Sequence, residues 1–572
     1  MQTISAQLDQ VFRNAIQQAF AIDADPLITV SHNEKFGDYQ SNAAMGLAKQ
    51  VSDKTGQKTN PRAVAEQIKS NLNLADIATE ISIAGPGFIN VRLSPSFLSG
   101  QLTSIQSDAR LGVSCAEPKQ TIVVDLSGPN VAKELHVGHL RSTIIGDSIA
   151  RALEFLCHNV IRQNHLGDWG TQFGMLISHL RSQSTAGETR IEDLDKFYKE
   201  ARKRFDTEEG FADTARATVV KLQSGGDEEL SLWRKIVEET RRHFVPLYQR
   251  LNVKITTADE RGESFYNPML EGVVRDLKSA GIATQSEGAT VVFVEGHENP
   301  LIIEKSGGGY LYGTTDLAAL RFRAGQLKAN RIVYVVGAPQ SQHFAQVFAT
   351  ARRAGWDNGA ALEHAPFGSV LGEDGKMFKA RSGESVKLVQ LIDEAEERAF
   401  ALVTEKNPDL PEETRRSIAH AIGVGALKYA DLSKDRVSDY TFSFDQMLSM
   451  NGNTAPYLQY VYARIRSIFR KANTAPPTNA PIHLDAPQEL ALAKHLLRLS
   501  ETISLVAREL KPHHLCNYLY DLSTKFSSFY ENCPVLQSEE PTRTSRLALC
   551  DLTARTMATG LDLLGIEHPE QM

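Results

Sequence analysis

Cysteine is scarce in this chain, with five residues in 572 (Cys115, Cys157, Cys516, Cys533 and Cys550) and no Cys-x-x-Cys pair. So sparse and odd a set supplies neither a disulfide framework nor a zinc ribbon, and it fits a reducing, cytoplasmic setting. The tightest Cys/His grouping, His513-His514-x-Cys516, lacks a second cluster to complete four ligands, so no metal site is expected. No apolar run approaches the ~20 residues of a membrane-spanning helix. The first residues, Met1-Gln-Thr-Ile-Ser5, show neither the basic nor the apolar part of a secretory signal. Internal repeats are missing too, which argues against a solenoid. The Walker loop, Gly-x4-Gly-Lys-Ser/Thr, is absent, which disfavours the commonest NTPase plan. Nor is there an excess of basic residues: 62 Lys and Arg face 69 Asp and Glu, a net charge of −7. Taken alone, that figure argues against a nucleic-acid partner.

What is present is ordinary for a soluble enzyme: 42% hydrophobic and 23% charged residues. At about 150 residues per domain, the length predicts three or four domains. Residues 1–110 read as a small α/β module. It has helical periodicity around Phe12–Phe20 and two strands joined by a Gly-Pro turn across Glu80–Leu93. From 111 to 385 the pattern changes. The buried-type strand Thr121-Ile-Val-Val-Asp-Leu126 leads through Gly128-Pro129 into a helix with Leu140, Ile144, Ile149, Leu153 and Leu156 on one face. Strands at 159–163 and 331–336 follow, the second feeding a helix from Phe344. This order predicts an α/β, Rossmann-like parallel sheet, interrupted by a charged, mostly helical insertion at about 180–290. Residues 386–450 read as a helical connector and 451–572 as an α-helical bundle.

In open parallel sheets, ligands bind at loops beyond the carboxyl ends of strands. The loop after the first strand reads Ser127-Gly-Pro-Asn-Val-Ala-Lys133-Glu-Leu-His136-Val-Gly138-His139 and runs straight into the helix. A helix start with unpaired N–H groups and a positive dipole end suits phosphate. Two histidines add donors, and the glycine allows close approach. With 16 His and 39 Gly, chance yields His-x-Gly-His only about 0.03 times in such a chain. A second glycine-bearing basic loop, Gly372-Glu-Asp-Gly-Lys376-Met-Phe-Lys379-Ala-Arg381-Ser-Gly383, fits either a clamp on a triphosphate or a solvated hairpin tip.

These loops resemble those of the class I aminoacyl-tRNA synthetases, and among them the arginyl-tRNA synthetase family. The run from Ser127 to Gly146 is similar to that family's extended His-x-Gly-His motif. Similarity continues at Asn164–Gly174, Tyr310–Ala318 and Thr454–Tyr460, and in the final stretch from Gly560 to Met572. The resemblance spans the chain. One departure is Lys376-Met-Phe-Lys-Ala380, where class I enzymes usually carry Lys-Met-Ser-Lys-Ser. The lysine before His-x-Gly-His, Lys133, is thought to compensate.

The resemblance implies activation of arginine with ATP and Mg²⁺ carried by the ATP, then transfer to the 3′ end of tRNA(Arg), with no tightly bound cofactor and a monomeric, non-membrane protein. It assigns His136, His139 and Lys133 to catalysis. ATP contacts fall to His136, Gly138, His139, Lys376 and Lys379. Arginine contacts fall to Asn130, Glu263, Tyr312, Asp316 and Gln340. A guanidinium calls for carboxylates facing its planar fork, and Tyr312 and Asp316 share a face if 310–318 is helical. Asp168 and Trp169 fit a structural turn or a ligand contact equally well. Residues 1–110 resemble the family's additional tRNA-contacting domain, in which Asp38 and Asn42 fit a structural role. Residues 451–572 resemble its anticodon-binding domain, where Tyr457 and Tyr460 suit base stacking and Arg464 and Arg466 suit phosphates.

The alternatives are another class I synthetase, a small-molecule nucleotidyltransferase, or a catalytically inactive synthetase-like RNA-binding protein. The charge objection weakens on inspection. Residues 111–450 hold 41 basic and 47 acidic groups, whereas residues 451–572 hold 12 of each. Net charge describes the long-range field, not local patches.

Overall fold

The computed structural model describes residues 2–31, 33, 35–183, 191–306, 308–378 and 386–572. The amino-terminal part packs helices Ile4–Phe20, Ala43–Thr55 and Pro61–Ser70 on a four-stranded antiparallel sheet. Thr3 starts the first helix by accepting the Ala6 N–H on its hydroxyl, and Leu8, Phe12 and Ile16 bury its inner stripe. The hairpin Ala78–Ala84/Phe88–Leu93 pairs through its second strand with Tyr39–Ser41 and leaves its first strand at the sheet edge. It turns at Gly87, where φ is 141° and a Cβ would stand 2.8 Å from the Pro61 carbonyl oxygen.

The catalytic-type sheet has four parallel strands: β1 (Thr121–Asp125), β2 (Asn159–Gln163), β3 (Arg331–Tyr334) and β4 (Ala361–His364), in the order β4-β3-β1-β2. Ile122, Val123 and Val124 of β1 are wholly buried, as the second strand inward of a covered parallel sheet requires. Helix α1 (Val137–Phe155) crosses from β1 to β2. It lies so close to the sheet that a Cβ on Gly146 would be 2.4 Å from that of Leu126. Buried ion pairs lock the layers. Arg323 reaches Asp125 at 2.7 Å, and Arg141 reaches Asp431, on the helix Glu412–Leu432, at 2.9 Å.

Helix α2 (Gln172–Gln183) leads into an insertion with its own core. That core gathers Phe173, Leu176, Phe197, Phe211 and Ile236 on α2 and on helices α3 (Leu194–Thr207), Phe211–Gln223 and Asp227–Arg250. The expected helical insertion continues into α4 (Glu263–Ser279), then departs from expectation. Three short antiparallel strands, Thr284–Ser286, Ala289–Val292 and Leu301–Glu304, form a small sheet. They are too short for periodicity to separate from loop. The chain returns through α5 (Tyr312–Gly325) and, after β3, α6 (Ser341–Arg353).

Helices dominate from Leu388 onward, and α7 (Ala455–Ala472) begins the carboxyl-terminal bundle. The two flanking regions meet. Lys494 pairs with Asp38 at 2.7 Å, and Glu501 accepts from the Tyr39 hydroxyl and the Ser5 N–H. Asp38 also accepts the Leu93 N–H, and Asn42 bonds within its own sheet.

The cysteine expectation needs correction at one pair: Cys115 and Cys157, 42 residues apart, form a disulfide. The Ala116 N–H bonds to the Leu156 carbonyl, laying the segment before β1 beside the end of α1. Sequence separation hides that proximity. Cys516, Cys533 and Cys550 are buried and free. His514 pairs with Glu509. No helix among the described residues is long and apolar enough to cross a membrane.

Candidate active site

A cavity of about 710 Å³ opens beyond the carboxyl ends of β1 and β3, the position a parallel sheet favours for ligands. Its first wall is the entrance to α1, where His-x-Gly-His turns out to be a helix cap. His136 is the N-cap, and its Nδ1 accepts the Gly138 N–H at 3.1 Å. The Nδ1 of His139, three residues on, accepts the His136 N–H at 3.2 Å. This is the reciprocal geometry of a capping box made from two imidazoles. Gly138 permits it, since a Cβ there would lie 2.9 Å from Cε1 of His136.

Two consequences follow. Burial, with Lys133 nearby, lowers His136 below the usual imidazole range; burial, His136 and Lys133 push His139 down to about 3. Both rings are therefore neutral near pH 7. Because each Nδ1 accepts a backbone N–H, each ring proton sits on Nε2, and both rings line the cavity as neutral N–H donors. The backbone differs from expectation. The Val137, Gly138 and His139 N–H groups are already paired, with Val386 O, His136 Nδ1 and His136 O. What remains for an anion at this helix end is the dipole and the two imidazole donors.

The loop between β1 and this cap is held from below. Ser127 and Gly128 both have left-handed backbones, with φ of 70° and 57°. The Ser127 N–H donates to Ser142 Oγ, its hydroxyl meets Tyr248 at 2.8 Å, and the Gly128 N–H donates to Asn164 Oδ1 at 3.0 Å. Asn130 lies against Gly167, where a Cβ would stand 2.2 Å from Asn130 Oδ1.

Carboxylates, Glu263 and Asp316, form a second part of the wall. Glu263 opens α4, in a turn fixed by Asp168, whose carboxylate accepts both the N–H and the hydroxyl of Ser264 at 2.8 and 2.6 Å. Gly262 makes room, since its Cβ would lie 2.3 Å from Asp168. Asp168 is thus a brace, and Trp169 stands edge-on to Trp233, which donates to the Asp168 carbonyl. Burial, with the charges of Asp168 and Asp316, pushes the Glu263 carboxyl up to about 7. Asp316 and Tyr312 lie one turn apart on α5. Asp316 Oδ2 meets His343 Nε2 at 2.6 Å.

The cavity gathers Asn130, His136, Gly138, His139, Glu263, Tyr312, Asp316 and Gln340 from segments 210 residues apart. Of the expected lysines that are described, it gathers neither Lys133 nor Lys376. Lys133 points its ammonium at the Tyr198 ring on α3, 4.8 Å from the centroid, and is absent from the cavity wall. The expectation that Lys133 stands among the donors is corrected to that extent. Its neighbour Glu134 is tied to α3 by the Asp195 carboxylate, which turns this stretch toward the insertion. Lys376 lies exposed on a hairpin closed by Gly372 N–H to Lys376 O, also off the wall. Lys379 and Arg381 lie outside the described residues. Val386, Lys387 and Leu388 pair with Val137, His136 and Leu135 at the histidine cap, and Lys387 faces Asp193 and Asp195 at 3.5 and 3.7 Å. Sequence reasoning missed His165 and His343 in the wall. His165 lies in the similar stretch Asn164–Gly174, whereas His343 lies in none of the similar stretches, and only their contacts mark the two out.

On α7, Tyr460 is exposed and faces an open groove of about 870 Å³ shared with Phe444 and Met572. Tyr457 is half-buried against Tyr520, Arg464 lies over the Tyr530 ring, and Arg466 pairs with Glu570 at 3.2 Å.

Residues 101–444 match the family model of the catalytic domain of class I tRNA synthetases (R). Residues 458–572 match the DALR anticodon binding domain, and 6–93 the arginyl tRNA synthetase N-terminal domain. The parallel sheet with its histidine-capped α1 is therefore a class I synthetase fold. Arginine–tRNA ligases of Cellvibrio japonicus and Escherichia coli O8 are 53% and 51% identical, over 96% and 100% of both chains. Arginyl-tRNA synthetase structures from Plasmodium falciparum (35% identity, TM-score 0.89) and Thermus thermophilus (26%, 0.83) superpose over all of both chains. The chain belongs to the arginyl-tRNA synthetase family.

Proposed function

We propose that the chain ligates arginine to tRNA(Arg) in this cavity. The observation that carries the proposal is the pairing of walls: two neutral imidazole donors at a helix dipole face two carboxylates, one held near pH 7. The first wall suits the polyphosphate of ATP, and the second suits a guanidinium. In the first step an oxygen of the arginine carboxylate forms a bond to the α-phosphorus of ATP, and the bond to pyrophosphate breaks. In the second, the tRNA terminal ribose hydroxyl bonds to the adenylate carbonyl carbon, the carbonyl–phosphate bond breaks, and the hydroxyl proton passes to the departing AMP phosphate. No protein nucleophile is needed. Positioning and charge stabilisation at phosphorus supply the rate.

His136 and His139 are the donors to the transferring phosphoryl group, with Gly138 leaving room. Lys133 acts from the rim, together with Lys376 and Lys379 of the degenerate loop. Glu263, Asp316 and Tyr312 take the guanidinium end, and Asn130 and Gln340 the amino-acid end. Mg²⁺ travels with the ATP phosphates. Residues 1–110 and 451–572 flank the catalytic region, 111–385, and its connector, 386–450. They grip tRNA through Tyr460 at the open groove, with Tyr457, Arg464 and Arg466 beside it. The protein works as a cytoplasmic monomer.

Pyrophosphate exchange with each amino acid, with and without bulk tRNA, tests this. Arginine-specific exchange that requires tRNA is expected. Exchange with a different amino acid, or none under any condition, rejects the proposal.

A further inference from the structure

The two walls of the cavity differ in how their polar groups are held. Each histidine of the first is fixed by its own backbone, whereas Asp316 is fixed by a residue that no motif assigned. His343 stands in the first turn of α6, and its Nε2 is 2.6 Å from Asp316 Oδ2. Both side chains are largely buried, 13% and 19% exposed. The His343 ring lies between two aromatics, its centroid 5.0 Å from Tyr312 and 5.4 Å from Phe344. Tyr312 is exposed at the mouth, while Phe344 packs into the core beside Tyr334. The imidazole thus has a buried inner neighbour and an exposed outer one.

A carboxylate on Cβ rotates freely about its terminal bond unless something holds it. A guanidinium is recognised through two parallel N–H···O bonds, so the plane of the carboxylate decides whether it binds as a fork or as a point charge. We infer that His343 is a positioning residue for substrate recognition: by donating from Nε2 to Asp316 Oδ2 and bearing on Tyr312, it sets the plane in which Asp316 meets the guanidinium of arginine. Only one lone pair of Oδ2 is used by this bond, and Oδ1 accepts no hydrogen bond from the described residues. Both oxygens therefore remain available to a substrate. This role needs no change of charge on His343, since a neutral ring protonated on Nε2 makes the same bond. It rests on the proposed guanidinium pocket.

The consequence is discrimination. A ligand carrying a compact ammonium, such as lysine, gains nothing from a fixed carboxylate plane, because an ammonium is a point charge. Loosening the plane therefore weakens arginine selectively and narrows the gap between arginine and lysine.

The test uses the full-length enzyme in steady-state aminoacylation with arginine and lysine competition, on His343→Leu, His343→Gln, Asp316→Ala and the double variant Asp316→Ala/His343→Leu. His343→Leu keeps the bulk and removes the donor. It should raise the arginine KM roughly tenfold, the loss of one charge-assisted contact, with kcat and the ATP KM within about twofold. Inhibition by lysine should be unchanged. His343→Gln, whose amide nitrogen reaches the position of Nε2, should restore most of the KM. In the double variant the His343 change should add nothing to Asp316→Ala, because a residue acting through another is silent once that partner is gone. Additive effects, no rescue by glutamine, or equal losses for arginine and lysine would overturn the positioning role. Asp316→Ala with unchanged arginine kinetics would instead reject the pocket itself. Thermal melting of each variant separates either result from a failure to fold.

Discussion

The two walls of the active-site cavity solve opposite electrostatic problems by opposite means. On the phosphate side, His136 and His139 are neutral, cap their own helix, and have their protons placed by backbone N–H groups within three residues. On the arginine side, Glu263 and Asp316 come from α4 and α5, braced by Asp168 and His343 from two further elements. Burial, with the charges of Asp168 and Asp316 added to it, raises the Glu263 carboxyl to about 7. The lesson is that a donor wall can be rigid and uncharged before its ligand arrives, whereas an acidic wall carries stored repulsion that only a cation relieves.

The largest effect that could break this contrast is at Glu263. Glu263→Gln should raise the arginine KM by roughly a hundredfold, the upper end for a charge-assisted contact, and leave the ATP KM alone. It should also stabilise the protein at alkaline pH. The folded carboxyl lies above its unfolded value of about 4.3, so folding favours the protonated form. The stability it contributes is fully present below the unfolded value and lost as pH rises through about 7. The glutamine variant, always neutral, should therefore match the parent near pH 4 and exceed it by on the order of 2–3 kcal/mol at pH 8. Melting curves across that range check the sign. Equal stability of the two at pH 8 would remove the stored repulsion.

Next in size is the histidine wall. His139→Ala should lower the rate of pyrophosphate exchange by one to two orders of magnitude, about 1.5–3 kcal/mol of transition-state contact. The arginine KM should move little. A variant that loses arginine affinity instead would merge the two walls into one functional unit.

The walls should also part company with pH. Glu263 must give up its proton to pair with a guanidinium. The arginine KM should therefore climb by up to about tenfold per pH unit below about 7, and Glu263→Gln should abolish that slope. With His139 held at about 3 and His136 below the usual imidazole range, both rings stay neutral and the ATP KM should stay flat from pH 7 to 8. A slope in the parent above pH 7 that His136→Ala abolishes would show an imidazole charging in use.

The smallest effect concerns Lys133. Its contact with Tyr198 should be worth about 0.5–1 kcal/mol, so Tyr198→Leu should change the exchange rate by no more than about fivefold. Lys133→Ala should cost more, about tenfold. Equal losses would place the lysine's role in holding α3.

Much of this was open to reading before any fold was known. The β1 run is apolar because both sheet faces are covered, and Ser127–His139 announces itself because a helix cap is written in adjacent residues. The carboxylates were nameable only through family resemblance, since nothing local distinguishes Glu263 from a surface acid at a helix start. His343 carried no signal at all. Neither did the Ser127–Tyr248–Asn164 support, nor the pairing of Cys115 with Cys157. Each is a contact between segments tens to hundreds of residues apart.

By itself, then, the sequence determined the features encoded over a few residues: the strands, the crossover helix, the imidazole cap and its need for Gly138. Backbone geometry repeats every turn or pleat, so short-range patterns suffice for these. Only the tertiary structure decided which groups share the cavity. It turned Lys133 toward Tyr198, fixed Asp168 as a brace, and set Asp316 against His343. Packing brings distant segments together and removes water from between their charges, and that desolvation gives Glu263 its raised proton affinity.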